Sequence, residues 1–351
     1  MTQSKPNLTR QDLASQGSTI REQTYLQAAA TKFYRSKTSM MAAFLLFFMI
    51  AISLAAPWIG DSVLGFDPTD TNLRTRNDPP TWGEEAWDTF QDFSKSCQKE
   101  CQWSYWGVMF RQSWAGVQTC LRAELGECHW MGTDQAGRDV LTRGIYGGRI
   151  SLRIGFYVAL VSMTLGVLVG LISGYYAATR IDDVINGIIM TLNSIPSLFL
   201  LIILASLFTL TPERLAILIG ALGWTGLSRL LRGQIFAIRE RDYVIASQAI
   251  GSRPWHTMIQ HVLPNVSSIL IVSAVFNVAG AILVEASLSY LGVGIGPPHP
   301  SWGNMMQGSL GNFTDSPWMV LAPGLFIFLT TLSIYLMGDG LRDALDPWIK
   351  E

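Results

Sequence analysis

IGFYVALVSMTLGVLVGLISGYYAAT, residues 154–179, runs for 26 residues without a charged side chain. A bilayer hydrocarbon core about 30 Å thick takes about 20 apolar residues of helix to cross. Backbone placed there must satisfy its own hydrogen bonds, which a helix does. Four more stretches read the same way: Met40 to Trp58, Val184 to Pro212, Val262 to Val284 and Ser316 to Gly338 hold no Asp, Glu, Lys or Arg. Buried helices of a soluble protein do not supply five such runs. A sixth, Leu215 to Ser228, is shorter and lies between Arg214 and Arg229. It is read as a span because Arg229 and Arg232 can snorkel and the helix continues on both sides.

The rest of the composition agrees. Only 15% of the 351 residues are charged and 49% are hydrophobic, against roughly 25% charged in soluble domains. The net charge of -1 excludes a global basic field for nucleic acid. The expected fold is all-α and polytopic, with six transmembrane helices. It divides into a tail at 1–38, a first span at 39–59, an outer segment at 60–150, a five-helix core at 151–337 with a loop at 232–264, and a second tail at 338–351.

Lys and Arg set the orientation. Lys32, Arg35 and Lys37 precede the first span, and Arg229, Arg232, Arg239, Arg241 and Arg253 crowd one loop. Both termini and that loop are expected on the cytoplasmic side. The first run is too long, and too far from the chain start, for a cleaved leader. Residues 1–31 read as a disordered tail.

All four cysteines, Cys97, Cys101, Cys120 and Cys128, fall in the outer segment, where oxidising conditions favour disulfides. Of the three pairings, the nested one (Cys97–Cys128 with Cys101–Cys120) would staple a helical hairpin. The rival is a zinc site completed by His129, which lacks the C-x2-C knuckles of structural zinc. The segment is also rich in tryptophan, with Trp82, Trp87, Trp103, Trp106, Trp114 and Trp130.

No phosphate-binding G-x-x-x-x-G-K-[ST] and no H-E-x-x-H occurs. His256 and His261, five apart, are placed on different helix faces. No Ser-His-Asp arrangement suits the spans, so neither catalysis nor a cofactor is expected. Packing hardware is present instead. Gly166, Gly170 and Gly174 repeat every fourth residue, and Gly220, Gly223 and Gly226 do something similar; such faces let helices approach closely. Pro196 is expected to kink the third span. Glu285, near the outer end of the fifth, would face a pore or lie at the interface.

The loop between the fourth and fifth runs is the most informative. Asp242-Tyr243-Val244-Ile245-Ala246-Ser247-Gln248-Ala249-Ile250-Gly251 reads as a short helix closed by Gly251. Ser252 is expected to cap a second helix with Pro254 in its first turn, ending at Leu263-Pro264. Ala246, Ser247 and Ala249 give the first helix a small face, suited to a groove on another protein.

These residues resemble the cytoplasmic coupling loop of ABC importer permeases. Ile245-Ala246-Ser247, Gly251, His261 and Leu263-Pro264 stand at the positions of its Glu-Ala-Ala, Gly, Ile and Leu-Pro. The Gly-to-Leu-Pro spacing is met; Ile245, Ser247 and His261 depart from the pattern. Three further stretches resemble the second permease subunit of the dipeptide/oligopeptide/nickel branch: Gly132 to Val140, Glu285 to Gly292 continuing to Pro300-Ser301-Trp302-Gly303, and Gly338 to Pro347. The cysteine-bearing insertion has no counterpart in that pattern.

The resemblance implies a type I importer permease fold in a bacterial inner membrane. It implies a heterodimer with a second permease subunit, two ATP-binding subunits beneath, and an extracytoplasmic substrate-binding protein delivering peptides or solutes such as nickel complexes. Asp242, Tyr243, Ile245, Ala246, Ser247, Ala249, Gly251, Leu263 and Pro264 would couple to an ATPase subunit. Asp134, Arg138 and Asp139 would order the start of the second span. A membrane receptor with a stapled outer ligand-binding segment is the alternative; it needs no ATPase partner.

Overall fold

A computed structural model describes residues 25–81, 84, 87–88, 128–208 and 210–345. The expectations for residues 1–24, for Cys97, Cys101 and Cys120, for Trp82, Trp103, Trp106 and Trp114, and for the chain beyond residue 345 lie outside the described residues. The described residues are helical with no strand beyond one isolated bridge, Thr133 to Asp139.

Helix α1, Tyr25–Arg35, is followed by α2, Lys37–Leu54, the first apolar run. The expected tail is thus helical from Tyr25. Ala29 and Phe33, one turn apart, pack on Leu341, Ala344 and Leu345, so an amphipathic face outweighs the polar composition. Helix α2 is packed in the manner of a membrane helix. Its Ser39 and Ser53 are buried, while Phe44 and Phe47 are 71% and 68% exposed. Small polar residues face the protein and phenylalanines face outward, the pattern expected of a helix packed in a bilayer.

Helix α3, Val140–Tyr175, has 36 residues, about 54 Å at ~1.5 Å per residue. It starts ten residues before the expected boundary at 150, because Asp139 caps it by accepting from the Thr142 N–H at 2.7 Å. The third span is two helices, α4 Arg180–Asn193 and α5 Ser197–Ser206, bent by 78°. Pro196 sits at the α5 N-cap, so the expected kink is a break. Helix α6, Pro212–Arg239, is one unbroken span. Helix α7, Asp242–Ala249, follows, and Pro254–Tyr290 then forms the next span, ending in α8, Ser267–Tyr290. The one-turn α9, Trp302–Met305, precedes α10, Trp318–Leu345, which extends well into the segment expected as a tail. Five helices qualify as membrane spans, and six if the bent pair is one.

The α3–α6 contact organises the bundle. A Cβ on Gly166, Gly170 or Gly174 would come within 2.9, 2.8 and 2.7 Å of Leu227, Leu231 and Ile235 respectively. The glycine stripe of α3 is the seat for a branched stripe on α6, and with Leu171, Met258 and Val262 they form a buried cluster. Gly220 meets Val161 in the same way, whereas Gly226 meets nothing within 4 Å.

Away from α7, residues 60–81 and 129–139 are stitched to each other and to the helices. Asp78 N–H donates to Thr133 Oγ1 at 2.8 Å, Arg143 Nη1 to the Pro68 carbonyl at 3.0 Å, and Trp318 Nε1 to the Thr133 carbonyl at 3.0 Å.

Candidate functional site

Helix α7 is short because its C-terminal geometry ends it. Gly251 has φ +84°, the Gly251 N–H donates to the Gln248 carbonyl at 2.9 Å, and the Ser252 N–H reaches the Ser247 carbonyl at 3.2 Å. That is the Schellman arrangement, in which a glycine takes the left-handed position. Ser252 is consumed by it and does not cap the next turn. Arg253 occupies that N-cap without a side-chain bond, and Pro254 follows at N1.

The helix has two faces. Val244 is fully buried, and Ser247 is buried with its hydroxyl 3.2 Å from that of Thr257. Asp242, Tyr243, Ile245, Ala246, Ala249, Ile250 and Gly251 are exposed. Ile250 is 83% exposed, unusual for an isoleucine next to a packed bundle. The small face therefore consists of Ala246 and Ala249; Ser247, expected beside them, is the inward anchor, since one helical position turns it by about 100°. Leu263 packs into the cluster of Leu231 and Ile235, and Pro264 is exposed.

Two attachments fix this elbow to α3. Gln248 Nε2 donates to the Tyr175 hydroxyl at 3.2 Å, and Arg239 Nη1 donates to the Tyr175 carbonyl at 3.0 Å and that of Ala177 at 3.3 Å. Arg239 thus supplies a donor to the carbonyls that end α3. Nearby, Asp182 is buried at the start of α4. It accepts from Arg232 Nε and Nη2 at 2.7 and 2.6 Å, from Ser173 Oγ at 2.6 Å and from the Ala178 N–H at 3.1 Å. Arg232 was expected to snorkel; it binds this carboxylate instead. None of these residues stands out in the sequence, where they are scattered charges and amides at helix ends. The one available signal was Asp182 at the head of an apolar run.

His256 and His261 also differ from expectation. A π turn, Met258–Val262, brings their rings edge to face at 6.4 Å. No metal-holding group of His, Cys, Asp or Glu occurs among the described residues. His129 Nδ1 lies 3.0 Å from Asp139 Oδ2 and its ring stacks on Phe66. Cys128 is disulfide-bonded; the expected pairing falls on residues outside those described.

Glu285 lies at the other end of α8, 18 residues from Ser267 or about 27 Å of helix, so it shares no site with the elbow. It is fully buried. Ser151 Oγ donates to Oε2 at 2.9 Å and Ser289 Oγ to Oε1 at 2.8 Å. Ser289 Oγ accepts in turn from the Ile295 N–H at 3.0 Å, and Trp302, also fully buried, donates through Nε1 to the Gly144 carbonyl at 2.8 Å. The carboxylate ties α3, α8 and the 291–301 turn together and faces no open surface. Pro196, in contrast, is exposed at the α4–α5 break. Asp134 accepts from the Ala136 and Arg138 N–H groups and pairs with Arg138 Nε at 2.8 Å, shaping the turn before Asp139 caps α3.

Comparison with known proteins agrees with this architecture. Residues 166–351 match the family described as binding-protein-dependent transport system inner membrane component, and residues 24–80 match the N-terminal TM domain of oligopeptide transport permease C. The chain is 36% identical over 219 residues to an oligopeptide transport system permease protein OppC of Haemophilus influenzae, covering 62% of this chain and 70% of that protein. It is 38% identical over 226 residues to the OppC protein of Bacillus subtilis, covering 64% and 73%. It is 39% identical over 223 residues to a dipeptide transport system permease protein DppC of the same organism, covering 63% and 69%. The elbow and Glu285 both lie inside the first matched segment. This chain belongs to the binding-protein-dependent transport system inner membrane components, as a permease of the ABC peptide-importer kind.

Proposed function

We propose that this chain carries peptides across a bacterial inner membrane as one of two permease subunits, driven by ATP hydrolysis in separate partner subunits. Both termini and α7 then face the cytoplasm, and a substrate-binding protein delivers cargo at the Glu285 end. The observation that carries the reading is α7 itself. It is closed by Gly251, anchored inward by Val244 and Ser247, and it presents Tyr243, Ile245, Ala246, Ala249 and Ile250 to solvent. Such a face suits a helix seated in a groove of an ATPase subunit. Gln248 and Arg239 would pass a displacement of α7 to α3, which crosses to the far end. Nickel complexes remain a second cargo class by family analogy only.

The test is purification of the chain with its neighbouring gene products and reconstitution in vesicles. ATP turnover stimulated by a peptide-loaded binding protein is the expected result. An assembly that forms without ATPase subunits, or hydrolyses ATP without regard to the loaded binding protein, would overturn it.

A further inference from the structure

A cavity of about 820 Å³ forms a groove along the side of the bundle where α2, α3, α8 and α10 diverge. Leu46 and Ile50 form one wall, Phe156 another, and Val275, Val278 and Ile334 close the rest. Along α3 the lining runs from Tyr146 to Tyr157, about 16 Å of helix. That is close to half of a hydrocarbon core about 30 Å thick, so the groove has the depth of one leaflet. It opens at the end of the bundle away from α7 and reaches inward to the middle of α8 and α10, at Val275 and Ile334. Its rim merges with exposed apolar surface, Leu54 at 69% and Phe156 at 61%.

Two arginines stand in this apolar groove. Arg149 and Arg153 are one turn apart on α3, further into the span than Tyr146, which packs against Gly60 where the first span ends. Arg153 is 3.3 Å from Glu213. Among the described residues the exposed Arg149 makes no ion pair and no carboxylate lines the groove. Asp61 and Asp67 are close enough to Tyr146 to act on it electrostatically, and Asp67 accepts from the Thr69 N–H at 2.7 Å. A guanidinium at membrane depth is costly and takes an anionic or polar partner. Its planar fork matches a phosphate through two parallel hydrogen bonds.

We propose that this groove binds one anionic phospholipid, with its phosphate on Arg149, Arg153 alongside, and an acyl chain laid between α2 and α8. A zwitterionic lipid has the same phosphate but brings its own cation to the two arginines, so an anionic headgroup is selected. The lipid would then wedge the first span, through Leu46 and Ile50, against the core.

The assembled transporter is extracted from vesicles holding equal amounts of phosphatidylglycerol and phosphatidylcholine, and retained lipid is counted by native mass spectrometry. Wild type is expected to keep phosphatidylglycerol in preference. Arg149→Gln is expected to lower that retention about tenfold, and Arg149→Lys by less, since it keeps charge without the fork. Val278→Trp, which fills the groove and leaves both arginines, is expected to abolish it. Equal retention of the two lipids by wild type, or unchanged retention in Arg149→Gln, would overturn the proposal. So would efficient cross-linking of Phe156→Cys to the second permease subunit, because protein would then cover the groove.

Discussion

Arg232 grips Asp182 with both edges of its guanidinium fork, Nε on Oδ1 at 2.7 Å and Nη2 on Oδ2 at 2.6 Å, across 50 positions of sequence. The aspartate is 1% exposed. The pair holds the start of α4 against α6 beside the α7 elbow, and Ser173 adds the end of α3 to the same carboxylate.

Removing Arg232 leaves that carboxylate buried with only neutral donors. Arg232→Ala is therefore expected to destabilise the chain by about 3 kcal/mol, the low end for breaking a buried pair, because the arginine side is partly solvated. Arg232→Lys is expected to recover less than half, having no fork. Thermal unfolding of the detergent-solubilised assembly reads both. An unchanged transition in Arg232→Ala would mean that the pair is dispensable.

The glycine stripe gives a second, positional contrast. Gly170→Val puts a branched side chain where even a bare Cβ would lie 2.8 Å from Leu231, and overpacking of this kind costs about 1–3 kcal/mol. Gly226→Ala, in open space, is expected to leave the melting temperature within a degree or two of wild type. If both behave alike, α3 and α6 do not pack through the stripe.

On α7, Ala246→Asp places a charge on the outward face, and Gly251→Val forces a β-branched residue to a φ of +84°. Both are expected to cut peptide uptake at least tenfold while membrane insertion, measured by membrane-fraction yield, persists. Ser247→Ala changes only the inward anchor and is expected to keep most uptake. Equal loss in Ser247→Ala and Ala246→Asp would show that the exposed face has no special part.

At the far end, Glu285→Ala strands the Ser151 and Ser289 hydroxyls and opens a cavity. Amide hydrogen exchange across residues 289–305 is expected to rise by about tenfold, and Glu285→Gln, which preserves an acceptor, to raise it only slightly. Identical exchange in all three proteins would detach the 291–301 turn from this carboxylate.

Uncharged runs located five membrane-length helices and the bent pair at 180–206, because the bilayer imposes a length and a composition on each helix separately, whatever it packs against. Residues 242–251 declared a short helix for an equally local reason, since Gly251 alone relieves the strain of the left-handed cap. The stripe of Gly166, Gly170 and Gly174 announced a close contact without saying with what. Its partner Leu227, Leu231 and Ile235, the inward turn of Ser247, the burial of Glu285 among serines and the grip of Arg232 on Asp182 were settled only by the assembled bundle. Each depends on the rotation and axial offset of one helix against another. Those are fixed by contacts between residues far apart in the chain, so no local pattern records them.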